Sequence, residues 1–198
     1  MIEATIDVQG TTPQTIQGVL RELLDKGVVD GLLVPLRRAG TGAIGPMLVT
    51  DPEALDQADP LTPVLPINAA RAASQLTMTG HREKLGVVLR ACEIRALVEL
   101  TKFQQVDLGN VVVVGIDCLG TYSVNAWQEA SSKQHVVDAL LGGAVTGDLA
   151  DSEGMAFRAA CQMCEQPLPD GDHVALTIGL VGVEAGKVYL RARDDLGK

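Results

Sequence analysis

Aromatic residues are nearly missing from this chain: one Trp, two Tyr and two Phe make up 3% of 198 residues. So sparse a set offers few platforms for stacking nucleobases. Basic residues are also in deficit, with 16 Lys+Arg against 25 Asp+Glu and a formal net charge of −9. An acidic surface repels a phosphate backbone, which argues against nucleic-acid binding. No apolar run approaches the roughly 20 residues of a membrane helix. The longest, Val111–Ile116 and Val174–Val183, have the length of strands and are bounded by Gly or charge. The opening Met1-Ile2-Glu3-Ala4-Thr5 has neither the basic segment nor the apolar stretch of a secretory signal. His81, His135 and His173 are scattered among polar neighbours and are expected at the surface. With no Ser/His/Asp or Cys/His arrangement and no Walker-type loop, hydrolytic chemistry has no foothold.

What the chain does have is an apolar share of 46%. That suffices for a core without disulfide staples at this length. No repeat, low-complexity tract or linker divides it, so residues 1–198 read as a single domain, soluble and cytoplasmic. Thr12-Pro13 opens a helix to about Lys26, with Ile16, Val19, Leu20, Leu23 and Leu24 on one face. Val28–Leu36 and Ile44–Thr50 read as strands, and Asp51–Pro66 as a short acidic helix followed by an irregular connection. An Ala-rich helix is expected over Asn68–Thr77. The centre is the clearest part: Lys84–Arg90 is a strand, Glu93–Gln105 a helix and Asn110–Asp117 a β-branched strand. Strand, helix and strand within about 30 residues form a parallel, right-handed βαβ unit. The lack of alternation in Val111–Val114 fits a strand covered on both faces. A helix over Ser131–Leu141 and a hairpin of Val174–Val183 with Lys187–Arg193 complete the reading. The fold class is α/β, with a parallel-containing sheet, a central βαβ unit and a C-terminal β-hairpin.

Gly40-Thr41-Gly42-Ala43-Ile44-Gly45 matches the letters of a dinucleotide-binding loop. That loop must open a helix whose N-terminus holds a pyrophosphate. Here the strand-like Pro46-Met47-Leu48-Val49-Thr50 follows, so a hairpin turn is expected instead.

Four cysteines carry most of the chemical information. In a reducing compartment they are unsuited to structural disulfides, which leaves metal or redox chemistry. Cys92 falls just past the first βαβ strand and Cys118 just past the second. Both therefore emerge at the carboxyl edge of a parallel sheet, where open α/β sheets build their sites. Neighbouring strands lie about 4.7–4.9 Å apart, so the two thiols are able to reach one small inorganic centre. Cys161 and Cys164, a C-x-x-C pair on a loop before the last hairpin, complete a set of four. Cys92 also stands at a helix N-terminus, which favours a thiolate, and Gly115 and Gly120 flank Cys118, where they would let a bulky centre approach. Zinc and iron–sulfur clusters use the same ligands, and spacing does not choose between them. A thioredoxin-like pair lacks its usual placement after a strand, and single buried cysteines would not explain a common meeting point.

Cys92-Glu93-Ile94-Arg95-Ala96-Leu97-Val98-Glu99-Leu100, Gly115-Ile116-Asp117-Cys118-Leu119-Gly120-Thr121-Tyr122 and Cys161-Gln162-Met163-Cys164 together resemble the coenzyme-deazaflavin hydrogenase and formate dehydrogenase β-subunit family. Val34-Pro35, Val49-Thr50-Asp51-Pro52 and Pro66-Ile67-Asn68-Ala69-Ala70 support the resemblance, which runs from about Thr12 to Arg193. It implies an electron-transfer subunit carrying one 4Fe-4S cluster, with Cys92, Cys118, Cys161 and Cys164 as ligands, and FAD beside it. It also implies a catalytic oxidoreductase partner and a soluble electron carrier. Asn68, Arg71 and Arg95 are the candidate flavin contacts, and Arg95, one helical turn past Cys92, is a candidate cation beside the cluster. Many family members carry an additional cysteine-dense ferredoxin-like segment and continue beyond a C-terminus such as Arg191–Lys198, so this chain reads as a shortened member. A structural zinc-binding assembly module and a stand-alone flavin and iron–sulfur reductase of an organic substrate are the competing functions.

Overall fold

The computed structural model describes residues 1–38, 40–79, 83–149, 154–194 and 196. His81 and the last two residues lie outside the described residues. The strands are β1 (Ile2–Asp7), β2 (Gly31–Arg37), β3 (Ile44–Val49), β4 (Leu85–Arg90), β5 (Val111–Ile116), β6 (Val174–Gly179) and β7 (Lys187–Ala192). They form one seven-stranded sheet in the order β1-β7-β6-β5-β4-β2-β3. Its four central strands, β2, β4, β5 and β6, pair in parallel. Antiparallel β3 closes one edge, and β7 and β1 close the other.

Helices α1 (Thr12–Asp25), α2 (Ala69–Met78), α3 (Ala91–Lys102), α4 (Val124–Glu129), α5 (Lys133–Thr146) and α6 (Ala159–Gln162) cover the sheet. The buried residues fall into two cores, one on each face. Ile16, Leu20, Val136 and Leu140 of α1 and α5 pack with Val88, Val114 and Ile116. Ala70 and Ala73 of α2 and Ile94 and Leu97 of α3 pack with Val87, Leu89 and Val113. Adjacent residues of β4 and β5 thus serve opposite cores, which is why these strands are apolar throughout rather than alternating.

The βαβ unit and both hairpins form as their sequences predict. The glycine-rich loop after β2 turns with Gly40 and Gly42 at positive φ (82° and 64°) and runs directly into β3, so it opens no helix. The acidic stretch after β3 is a 3₁₀ helix, Pro52–Gln57, capped by Asp51. Four features depart from expectation. β1 is an added strand on β7, α4 and α6 are added helices, and α5 extends to Thr146, where Gly147 caps it at φ 76°. Strand β1 escapes sequence reading because it lies at a solvated edge and its partner is about 185 positions away in sequence.

Candidate functional site

Register aligns the first two cysteines. Arg90 at the end of β4 pairs with Ile116 at the end of β5, and each cysteine follows two residues later. Cys92 becomes the second residue of α3, while Cys118 enters the loop after β5 and its backbone N–H donates to the Pro167 carbonyl at 3.0 Å. Cys161 sits in α6 rather than in a loop. Its backbone N–H donates to the Arg158 carbonyl (2.7 Å), and Cys164 donates to Cys161 (3.2 Å), a tight turn that gathers the C-x-x-C pair. All four cysteines are free thiols and line one cavity of about 680 Å³ at the carboxyl edge of the parallel strands.

Asp117 fixes the approach of this loop. Its carboxylate, 5% exposed, accepts from the backbone N–H groups of Leu180 (2.7 Å) and Val181 (2.9 Å) just beyond β6. Burial raises its pKa, against the opposing pull of those two hydrogen bonds and of Arg191. Glu93 secures the other side of the edge. One carboxylate oxygen accepts from the Ala69 N–H at the start of α2 (2.7 Å) and the other from the Arg90 N–H (3.1 Å).

The glycines flanking Cys118 have another role than the one expected. A Cβ on Gly115 would stand 2.5 Å from Pro169, and one on Gly120 would stand 2.5 Å from the Phe157 ring. Both make room for protein side chains, and of the two only Gly120 also lines the cavity. Phe157 in turn stacks on Tyr122, ring centroids 4.9 Å apart, and forms part of the cavity wall.

The expected thiolate at Cys92 is also corrected. Its pKa is pushed up to about 11, first by burial, then by the neighbouring Cys118 and Glu93, with Arg90 and Arg95 opposing. Although Cys92 opens onto the cavity, the protein around it strips hydration from the thiolate and raises the pKa. Burial likewise raises Cys118, and Arg90 and the Gly120 N–H act against it. The protein without a bound centre therefore holds these two sulfurs as neutral thiols near neutral pH.

Of the three candidate flavin contacts, Arg95 alone lines the cavity, its guanidinium donating to the Gln166 carbonyl at 3.3 Å. The Asn68 carboxamide caps α2 by accepting from the Ala70 N–H (2.9 Å), and Arg71 is exposed on the same helix. Three residues enter the site that sequence reasoning missed. Arg158 lines the cavity and donates to the Leu65 carbonyl at 3.3 Å. Arg90, 5% exposed, donates one guanidinium nitrogen to the Pro60 and Thr62 carbonyls and leaves Nη1 buried without a partner. Thr121 places its hydroxyl against the Cys161 sulfur at 3.0 Å. The buried charge of Arg90 had one sequence signal, a lone cation closing an otherwise apolar strand.

Among the described residues no three His, Cys, Asp or Glu side chains come close enough together to hold a single metal ion. All four cysteines nonetheless line the same cavity. No helix among the described residues is long and apolar enough to cross a membrane.

No protein-family model matches the chain. Two relatives in sequence are β subunits of F420-dependent formate dehydrogenases. That of Methanococcus maripaludis is 27% identical over 96% of this chain and 54% of its own length. That of Methanocaldococcus jannaschii is 25% identical over 92% of this chain and 52% of its own length. The chain thus spans about half the length of these relatives. A solved chain of the F420-reducing NiFe hydrogenase complex from Methanosarcina barkeri shares the fold, with a TM-score of 0.68 at 15% identity, covering 100% of this chain and 76% of that one. The chain is therefore a relative of the F420-dependent formate dehydrogenase β subunits, the group its cysteine motifs resemble.

Proposed function

We propose that this chain is an electron-transfer subunit in which Cys92, Cys118, Cys161 and Cys164 hold one 4Fe-4S cluster, with FAD beside it. The observation that carries the reading is the convergence of all four cysteines, from three separate segments, on one cavity at the sheet edge. A tetrahedral zinc requires four sulfurs about 2.3 Å from a single point. In a cluster each thiolate binds a different iron, so four cysteines that line one cavity without three of them meeting at a single-ion site suit it better. The cavity volume also falls within the range of about 300–1,000 Å³ typical of organic-ligand pockets, which supports a flavin ring beside the cluster.

When bound, the cluster passes single electrons and the flavin couples them to two-electron chemistry. The chain's own residues prepare the site. The β4–β5 ladder sets Cys92 and Cys118 side by side, Asp117 ties the loop that carries Cys118 to the segment after β6, and Glu93 ties the start of α3, beside Cys92, to the start of α2. Arg90, buried behind them, and Arg95 and Arg158 in the wall offset the negative charge of four thiolates in an otherwise acidic chain. Phe157 and Leu149 give the wall an apolar side that limits water. A catalytic subunit of the formate dehydrogenase or hydrogenase type would supply or accept the electrons, and a soluble carrier would complete the transfer.

Anaerobic reconstitution with iron and sulfide tests the proposal. The expected product is brown protein whose visible absorption is bleached by dithionite, with the colour lost in Cys118→Ala. Colourless wild-type protein after reconstitution would overturn it.

A further inference from the structure

We propose that Thr121 is a positioning residue whose hydroxyl donates a hydrogen bond to the cluster-bound sulfur of Cys161 and so sets how readily the centre is reduced. The inference rests on the cluster reading above. Thr121 is 2% exposed, and its Oγ1 lies 3.0 Å from the Cys161 Sγ. Two backbone bonds hold that contact in place. The Arg158 N–H donates to the Thr121 carbonyl (2.9 Å), and the Arg158 carbonyl accepts from the Cys161 N–H (2.7 Å). The backbones of Thr121 and Cys161 are thus joined through Arg158, which keeps the two side chains within reach of each other.

Between a free thiol and a hydroxyl, either atom is able to donate. A sulfur bound to iron has lost its proton, which leaves the hydroxyl as the donor. Reduction adds one electron, taken from a reductant in solution. No bond breaks, and the hydroxyl proton remains on oxygen. The added negative charge is shared with the ligand sulfurs, so a donor aimed at one of them favours the reduced state. Burial of Thr121 strengthens the effect, because little water competes for its hydroxyl. Cys118 receives its hydrogen bond from the Gly120 backbone, which no side-chain substitution removes. The Thr121 hydroxyl is a donor that mutation can delete cleanly.

Thr121→Val replaces the hydroxyl with a methyl group of nearly the same size and leaves the Thr121 carbonyl in place, while Thr121→Ser keeps the donor. The experiment is an anaerobic potentiometric titration of the reconstituted proteins, followed by the paramagnetic signal of the reduced cluster, with iron and sulfide counted in each. T121V is expected to carry the wild-type iron content and to be harder to reduce by about tenfold in the equilibrium constant, or about 59 mV for a one-electron couple. T121S is expected to restore the wild-type potential. Should T121V assemble less cluster, T121A makes the same comparison with a smaller side chain. A fully loaded T121V or T121A at the wild-type potential would overturn this inference alone. A wild type that takes up no iron and sulfide would overturn the cluster reading, and this inference with it.

Discussion

Replacing Asp117 with Ala should loosen the sheet edge that presents Cys118, and the cost follows from two hydrogen bonds. The Leu180 and Val181 N–H groups, at 2.7 and 2.9 Å, would lose their acceptor. A buried donor left unsatisfied costs about 1–3 kcal/mol. Leu180 is buried and Val181 partly so, which places the sum at about 2–5 kcal/mol. For a domain of this size each kcal/mol lowers Tm by about 2–4 °C, so a fall of at least about 4 °C is expected. Asp117→Asn keeps an acceptor oxygen and removes the charge, and should stay within about 1 kcal/mol of wild type at neutral pH. The pH dependence separates the two causes. Because burial raises the Asp117 pKa, its contribution to stability is full below the ordinary carboxylate value and declines as pH rises through the raised one. The advantage of wild type over D117N should therefore shrink with rising pH across that window. Thermal and urea unfolding of the reduced, metal-free proteins over a pH series would measure this. A D117A variant as stable as wild type, or a D117N variant as damaged as D117A, would refute the reasoning.

Three further outcomes are expected. Glu93→Gln turns an amide N–H₂ toward one of two backbone donors, Ala69 or Arg90, and should cost about 1–3 kcal/mol in urea unfolding. Gly120→Ala forces a side chain to φ 94° and against the Phe157 ring, and should destabilise by about 1–3 kcal/mol while lowering iron uptake on reconstitution. In metal-free protein, alkylation of Cys92 by iodoacetamide should be slow at neutral pH and keep accelerating toward about pH 11 as the thiolate forms, read residue by residue by mass spectrometry. A rate that levels off in the ordinary thiol range would contradict the burial argument.

The parts of the fold legible in sequence are those fixed by local pattern. Lys84–Asp117 declares itself through a helical period between two apolar runs, and parallel pairing then puts the residues after both strands at one edge. That logic alone brings Cys92 and Cys118 together, and the observed register of Arg90 with Ile116 agrees with it. The glycine-rich loop reads correctly because the residues after it favour a strand. Strand β1 is not legible, since its residues are largely exposed and its ladder depends on the far end of the chain. Side-chain roles at the site escape for a similar reason. Asn68 looks like a ligand contact, but it precedes Ala69-Ala70 at a helix start and acts as the cap its residue type favours. Gly115 and Gly120 look like space for a cofactor, yet the space is taken by Pro169 and Phe157, which only the tertiary fold brings there. The state of Cys92 was hidden for the same reason: sequence shows the helix end beside it but not the surrounding protein that strips water from its thiolate.

The most direct test of the central claim is a count of iron, acid-labile sulfide and zinc per chain in anaerobically purified protein, with the Cys92→Ala variant alongside. The account predicts about four iron and four sulfide per chain in the wild type, the stoichiometry of a Cys₄-ligated cubane, and their loss in the variant. Stoichiometric zinc without sulfide, persisting through anaerobic cluster reconstitution, would contradict it.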